Sequence, residues 1–386
     1  MKAWPIVPLR SVLRTHIDAV PSTQLGTVNL AGVYGFGRGL FPRGPISPLD
    51  TTYKAFHRLN VGDFGISSPK AWEGAVARIP EEFDGWFLSP VFPTFRADSE
   101  ALDTRFLDWY CKRDAVWRQL QGKAKGMGAR RESVSPDQFL SLEIPLPPLS
   151  EQQALVARLD TLAEKIRQVE AHLDAVERIS LSLLLSLHHK LADDRRVQLS
   201  DVLELRELPE VITPAGSYPQ VGVRGFGGGL FSKTAISGTA TSYKVFNRLY
   251  EGTIVLSQVK AWEGAIARCP KELDGWFVSP EYRTFYCKQN LASDEYFGEL
   301  VRTEWFWSQL QDATRGVGAR RERTRPEQFL NIELPMPHFD DQLRIVEILK
   351  RQAPLKAKHA AIRQANATLI PATLERVFGT GVQSTC

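Results

Sequence analysis

Two stretches of this sequence, KGMGARRE from Lys125 to Glu132 and RGVGARRE from Arg315 to Glu322, each set three positive side chains around a flexible Gly-x-Gly turn. Lys125, Arg130 and Arg131 in the first, with Arg315, Arg320 and Arg321 in the second, suit the binding of a polyanion. An arginine fork matches phosphate oxygens or guanine O6 and N7, whereas lysine acts as a point charge. Pairing of Arg130 with Glu132, or Arg320 with Glu322, is the structural alternative for the same residues. Further cations stand at Arg38, Arg43, Lys54, Arg58 and Lys70 in the first half and at Lys233, Lys244, Arg248 and Lys260 in the second. The glycines of Gly35–Gly39 and Gly225–Gly229 leave backbone open to close approach by a phosphate chain or a groove edge. Against that stands the plain reading of a glycine-rich turn with solvated lysines.

Catalytic signatures are missing from the sequence. There is no Walker loop ending in GK[ST], no glycine motif with an NPPY-like tetrad, and no acidic-and-lysine nuclease motif; GFGRG and GFGGG lack the strand-turn-helix context of a nucleotide loop. The seven histidines are unrepeated, His57 standing opposite Asn247, which argues against a duplicated active site. Cys111, Cys269, Cys287 and Cys386 have neither paired ligand spacing nor counterparts in the other half, so they read as filler, not as a zinc or disulfide set. The expectation is a chain that binds without catalysing and holds no metal or cofactor of its own. A hydrophobic content of 43% with 24% charged residues describes an ordinary soluble protein. No run has the layout of a secretory signal or the length of a membrane span, so the expected location is the cytoplasm, away from any membrane. A net charge of +4 is a poor pointer to nucleic acid, and the placement of the cations a better one.

The elements that must position these cations are written twice. GFGRGLF from Gly35 returns as GFGGGLF from Gly225, KAWEGA from Lys70 at Lys260, DGWF from Asp84 at Asp274, and GARRE from Gly128 at Gly318, every pair separated by the same interval. Each copy is large enough to fold, which implies two equivalent working surfaces related by approximate twofold symmetry. Within a copy, β-rich strings such as GWFLSPVFPTF (Gly85–Phe95) and GWFVSPEYRTF (Gly275–Phe285) predict strands, and aromatic spacing predicts helices over Arg105–Gln121 and Glu295–Asp312. Tyr53, Trp72, Trp86 and their repeats Tyr243, Trp262 and Trp276 read as core, with Trp72 and Trp262 as candidates for an outward role.

Stiff proline exits, IPLPPL and LPMPHF, then lead into long helices. The first, from an N-cap at Ser150 to about Leu191, carries the stripe Leu155, Leu159, Leu162, Ile166, Val169, Leu173, Val176 and Ile179. The second runs from Asp341 to about Phe378, with Pro354 and Pro371 as kinks or interruptions. Two such helices pair most simply as an antiparallel coiled coil that acts as a spacer; the plainer alternative is that they only dimerise the protein or cap a core. Two similar zones on a fixed rod suit a long, regular ligand, and double-stranded DNA is one.

Taken in order, WPIVPLRSVL, the globular zone, GARRE followed by DQFLSLEIPLPPLSEQQALVARLDTL, and the same series again with EQFLNIELPMPHFDDQLRIVEIL resemble the specificity subunit of type I restriction-modification systems, the HsdS family, over nearly the whole chain. The resemblance implies an α+β fold with two tandem target-recognition domains, 1–149 and 193–339, related by pseudo-twofold symmetry. Spacer helices over 150–192 and 340–379 and a flexible tail over 380–386 complete the expected layout. Each domain is then expected to read one half of a split DNA sequence. Partners are expected to be two methyltransferase subunits using S-adenosylmethionine and motor-nuclease subunits using ATP and Mg2+. Cations would hold phosphates while the loops 66–73 and 256–263 test base edges, adding Ser67, Ser68, Ser257 and Gln258 to the candidate contacts. The retained KAWEGA and DGWF blocks imply related half-sites in inverted orientation. Arg38 opposite Gly228, and Ser68 opposite Gln258, mark where the readings diverge, since Gln bonds adenine bidentately and Ser does not. A DNA-binding adaptor of another modification or defence complex is the alternative.

Overall fold

The computed structural model describes residues 4–47, 50–123, 133–314 and 323–379. It divides into two compact units, Met1–Glu170 with Ala361–Cys386, and Ala171–Ala360.

The first unit holds a five-stranded sheet built from β1 (Asp18–Pro21), β2 (Val28–Val33), β3 (Leu40–Ile46), β4 (Ala55–Arg58) and β5 (Phe87–Leu88) in the order β1-β4-β5-β2-β3. A four-stranded sheet runs Leu13–Thr15, Thr94–Ala97, Phe64–Ile66, Val76–Arg78. The second unit repeats the plan with β6 (Pro209–Val211), β7 (Ser217–Val223), β8 (Leu230–Ser237), β9 (Val245–Arg248) and β10 (Phe277–Val278) in the order β6-β9-β10-β7-β8. The strings GWFLSPVFPTF and GWFVSPEYRTF therefore do not form single strands. Each gives two residues to the larger sheet and, past its Ser-Pro, enters the smaller one, because proline ends the ladder it cannot donate to.

Each expected aromatic helix is broken into two, Thr104–Cys111 with Asp114–Lys123, and Asp294–Leu300 with Glu304–Thr314. The break is held by tryptophan: the indole N–H of Trp117 donates to the Cys111 carbonyl and that of Trp307 to the Val301 carbonyl, both at 2.7 Å. Carbonyls freed at a helix end need such donors.

The first long helix, α1 (Leu149–Ala192), begins one residue before Ser150, which lies inside it. Its start is fixed instead by Gln152, fully buried, which accepts from the Asp103 N–H at 2.9 Å and donates to the carbonyls of Ala101 (2.9 Å) and Pro147 (2.8 Å). Gln342 repeats this with Ser293 N–H (2.9 Å), Leu291 (3.2 Å) and Pro337 (3.0 Å) at the start of α2 (Phe339–Lys350). The second long segment is interrupted at Arg351 and Gln352, and α3 (Ala353–Phe378) continues with Pro371 inside it. Proline at the second position of α3, Pro354, costs no hydrogen bond because that N–H has no intrahelical acceptor.

On α1 the buried positions run Val156 and Leu159, then Leu173, Leu184 and His188. Ile179 falls off this face and is 67% exposed. A strict heptad stripe drifts around a straight helix by about 20° per heptad, so the later stripe positions rotate out of register. In the first unit Glu170 accepts from Arg363 and Asn366, both at 2.6 Å, and Phe378 packs on Phe106, Tyr110 and Trp4. In the second, Ser180 donates to Gln352 at 2.7 Å, and Leu184 shares a core with Val346 and Leu349. Trp86 and Trp276 pack against the smaller cores, as expected of them. Among the described residues no helix is long and apolar enough to cross a membrane.

Candidate nucleic-acid interface

The cations of the GFG segment sit on a hairpin. β2 and β3 pair antiparallel, as do β7 and β8, and residues 34–39 and 224–229 form the tips. Each tip closes on itself, Tyr34 N–H to the Gly39 carbonyl and Arg224 N–H to the Gly229 carbonyl, both at 2.9 Å. It then docks on the K-A-W-E-G turn: Phe36 N–H donates to Glu73 O at 2.7 Å and Phe226 N–H to Glu263 O at 2.6 Å. These bonds hold Phe36 at φ 61° and Phe226 at φ 54°, a left-handed stance that costs a non-glycine residue free energy. Their rings are nonetheless 60% and 74% exposed, touching Trp117 and Trp307 edge-on at 5.7 and 6.3 Å.

The turn beneath is built as tightly. Gly74 (φ 76°) and Gly264 (φ 74°) lie under Trp117 and Trp307, and a Cβ at either would stand 2.5 Å from the indole. Hairpin tip, K-A-W-E-G turn and tryptophan helix thus form one rigid assembly, once in each unit.

Around this assembly the cations divide by partner. Lys70 and Lys260 are exposed but lie 3.2 Å from Glu73 and 3.3 Å from Glu263, and Arg248 pairs with Glu210. Arg38, Arg43, Lys54, Lys233 and Lys244 are exposed with no acidic partner among the described residues. Arg43 and Lys233 ride the outer strands β3 and β8, while Lys54 and Lys244 directly precede β4 and β9.

The base-testing candidates lie deeper. Ser67, Ser257 and Gln258 are only 4%, 9% and 7% exposed, and Ser68 is half-buried. The Gln258 amide points at the Pro280 and Glu281 carbonyls, at 3.5 and 3.4 Å, instead of presenting a fork at the surface. Lys125, Arg130, Arg131, Arg315, Arg320 and Arg321 lie outside the described residues.

Sequence reasoning missed two features. Arg224 is an exposed cation with no acidic partner among the described residues, and its guanidinium stacks 4.8 Å above the Phe231 ring; RGFG beside YGFGR was the available signal. The buried Gln152 and Gln342 were visible only as a shared letter in SEQQ and DDQL. Among the described residues no group of three or more His, Cys, Asp or Glu is placed to hold a metal ion. Burial pushes the Cys269 and Cys287 thiols up to about 12, far from reactivity.

Residues 53–178, which hold the first K-A-W-E-G turn and the start of α1, match the type I restriction modification DNA specificity domain, and their blocks recur in the second half of the chain. Residues 53–178 are thus similar to a type I DNA specificity domain. A chain in a structure titled for complex assembly and conformational transition of the type I R-M system is 18% identical, with 98% of this chain and 96% of that one covered and a TM-score of 0.59, which supports the duplicated α+β fold. The HsdS subunit from Thermoanaerobacter tengcongensis (18% identity, coverage 99% and 98%, TM-score 0.44) and the S subunit from M. genitalium (14%, 95% and 95%, 0.46) are further similar structures. No curated protein matches. The matched family is one of DNA specificity domains, and the match covers part of this chain.

Proposed function

We propose that each unit reads one half of a split duplex DNA site and that the long helices fix the gap between the halves. The observation that carries this reading is the repetition, once in each half of the chain, of the same rigid tip assembly with unpaired cations beside it. Exposed cations near a docked backbone suit phosphate contacts, and a hairpin fits the width of a major groove. Glu170 with Arg363, and Ser180 with Gln352, step in opposite directions along the two helices, which supports an antiparallel coiled-coil spacer. The domain limits then fall at 1–149 and 193–339, with spacer segments 150–192 and 340–379.

In this reading methyltransferase subunits supply S-adenosylmethionine chemistry, and motor-nuclease subunits supply ATP-driven cutting with Mg2+. This chain's own residues position the DNA. Lys54, Lys244, Arg43 and Lys233 hold phosphates as point charges or forks, and the retained K-A-W-E-G blocks favour related half-sites in inverted orientation. Co-expression with a type I methyltransferase subunit from the same source, followed by mapping of methylated bases on a plasmid, tests the reading. A split motif with one fixed gap is the expected result; methylation without a motif, or a complex with no sequence-selective binding, overturns it.

A further inference from the structure

The two units are a comparison carried within one chain, and at the hairpin tip they differ in a linked way. Position 34 is Tyr and position 38 Arg, whereas their counterparts 224 and 228 are Arg and Gly. Arg38 stacks 4.7 Å above Tyr34, which itself stacks on Phe41 with ring centroids 4.2 Å apart. Arg224 stacks 4.8 Å above Phe231. Each tip therefore carries one guanidinium over an aromatic ring, taken from opposite sides of the turn.

A Cβ at Gly228 would stand 2.8 Å from the Arg224 Cβ and 3.1 Å from the Gly225 carbonyl, so the second tip as folded has no ready room for a side chain at 228. Both arginines are exposed, and neither has a carboxylate partner among the described residues. Arg38 donates its Nε–H to the Gly35 carbonyl at 3.1 Å, which leaves its Nη groups free to donate elsewhere. Stacking fixes the plane of a guanidinium, and a fixed plane is what bidentate recognition of guanine O6 and N7 requires. The unstacked Lys54 and Lys244 have no such constraint.

Resting on the DNA-reading role proposed above, we infer that Arg38 and Arg224 are guanine-reading residues of the two half-sites. Their change of side across the turn makes the half-sites differ there, in place of the Ser68 and Gln258 pair, whose glutamine is turned inward.

The test is motif mapping on the full chain co-expressed with its methyltransferase, for the wild type, R38A, R38K, R224A and Y34R/R38G, with duplex binding measured against salt. R38A and R38K should each relax one base of one half-site, lowering discrimination there by roughly 5- to 150-fold while the other half-site stays unchanged. R224A should do the same in the other half-site, and Y34R/R38G should shift the first half-site toward the second. Weakening that is uniform across sequences with a shallower salt slope, or restored by lysine, overturns the inference in favour of a phosphate contact. An unchanged motif in these variants, beside a split motif in the wild type, also overturns it and leaves the reading above standing. Absence of a split motif in the wild type overturns both.

Discussion

Acid should loosen the second unit through one side chain, His188, and two substitutions taken from the first unit should cure it. His188 is fully buried on α1; its Nδ1 shares a hydrogen bond with the Tyr296 hydroxyl, its Nε2 has no partner, and Trp305 packs 4.8 Å away. Burial first, and the neighbouring His189 second, hold its pKa down at about 4 from 6.5. The folded state thus resists a proton that the unfolded chain accepts. Stability from this site is complete above the unfolded pKa and is lost as pH falls from about 6.5 through about 4. Linkage gives a loss of about 2 kcal/mol by pH 5 and about 3 kcal/mol once both states are protonated.

The counterparts of His188 and Tyr296 in the other copy are Phe378 and Phe106, whose rings pack at 5.6 Å. H188F alone strands the buried Tyr296 hydroxyl and should cost about 1–3 kcal/mol at neutral pH. H188F/Y296F restores the all-apolar pair and should lie within about 1.5 kcal/mol of wild type at pH 7.5. It should also abolish the acid loss. Urea unfolding at about pH 7.5 and pH 5, followed by tryptophan fluorescence, reads the difference directly. If the double variant loses as much stability at pH 5 as the wild type, His188 is not the acid-sensitive group and the reasoning is refuted.

Gln152→Ala removes the acceptor for the Asp103 N–H and the donor to two buried carbonyls, so thermal unfolding should report a loss of about 2 kcal/mol. Gly74→Ala forces a methyl to 2.5 Å from Trp117 at φ 76° and should destabilise the first tip assembly by about 2 kcal/mol or more, read as weaker recognition of one half-site only. Adding one base pair between the half-sites moves one by about 3.4 Å and turns it by about 35°. Duplex binding should then fall roughly tenfold or more with no contact residue altered.

The repeat made the fold legible, because blocks such as KAWEGA at Lys70 and Lys260 fixed the register of two similar units before any strand was assigned. The long helices were legible from their apolar period, although Ile179 shows that a stripe read over many turns drifts off its face. Less legible was the partnering of charge. Lys70 and Glu73 share a turn, and only the fold shows that they meet. Gln258 looked like a base reader by residue type, yet the carbonyls of residues 280 and 281 claim it. The positive φ of Phe36 and Phe226 had no signature either, since backbone strain in a phenylalanine is imposed by bonds to a distant turn.

The first unit is assembled from widely separated parts of the chain, with Leu374 and Phe378 lying against Phe106 and Tyr110, whereas the second is drawn from the single stretch 171–360. During synthesis the order of appearance is therefore not the order of completion. The N-terminal unit emerges first, but its apolar face waits for α3, roughly 10–40 s at ordinary translation rates, while the later unit acquires all its parts meanwhile. A released chain ending at residue 360 would carry every part of the second unit and an unfinished first one, with Phe106 and Tyr110 uncovered for chaperones or neighbouring chains to find.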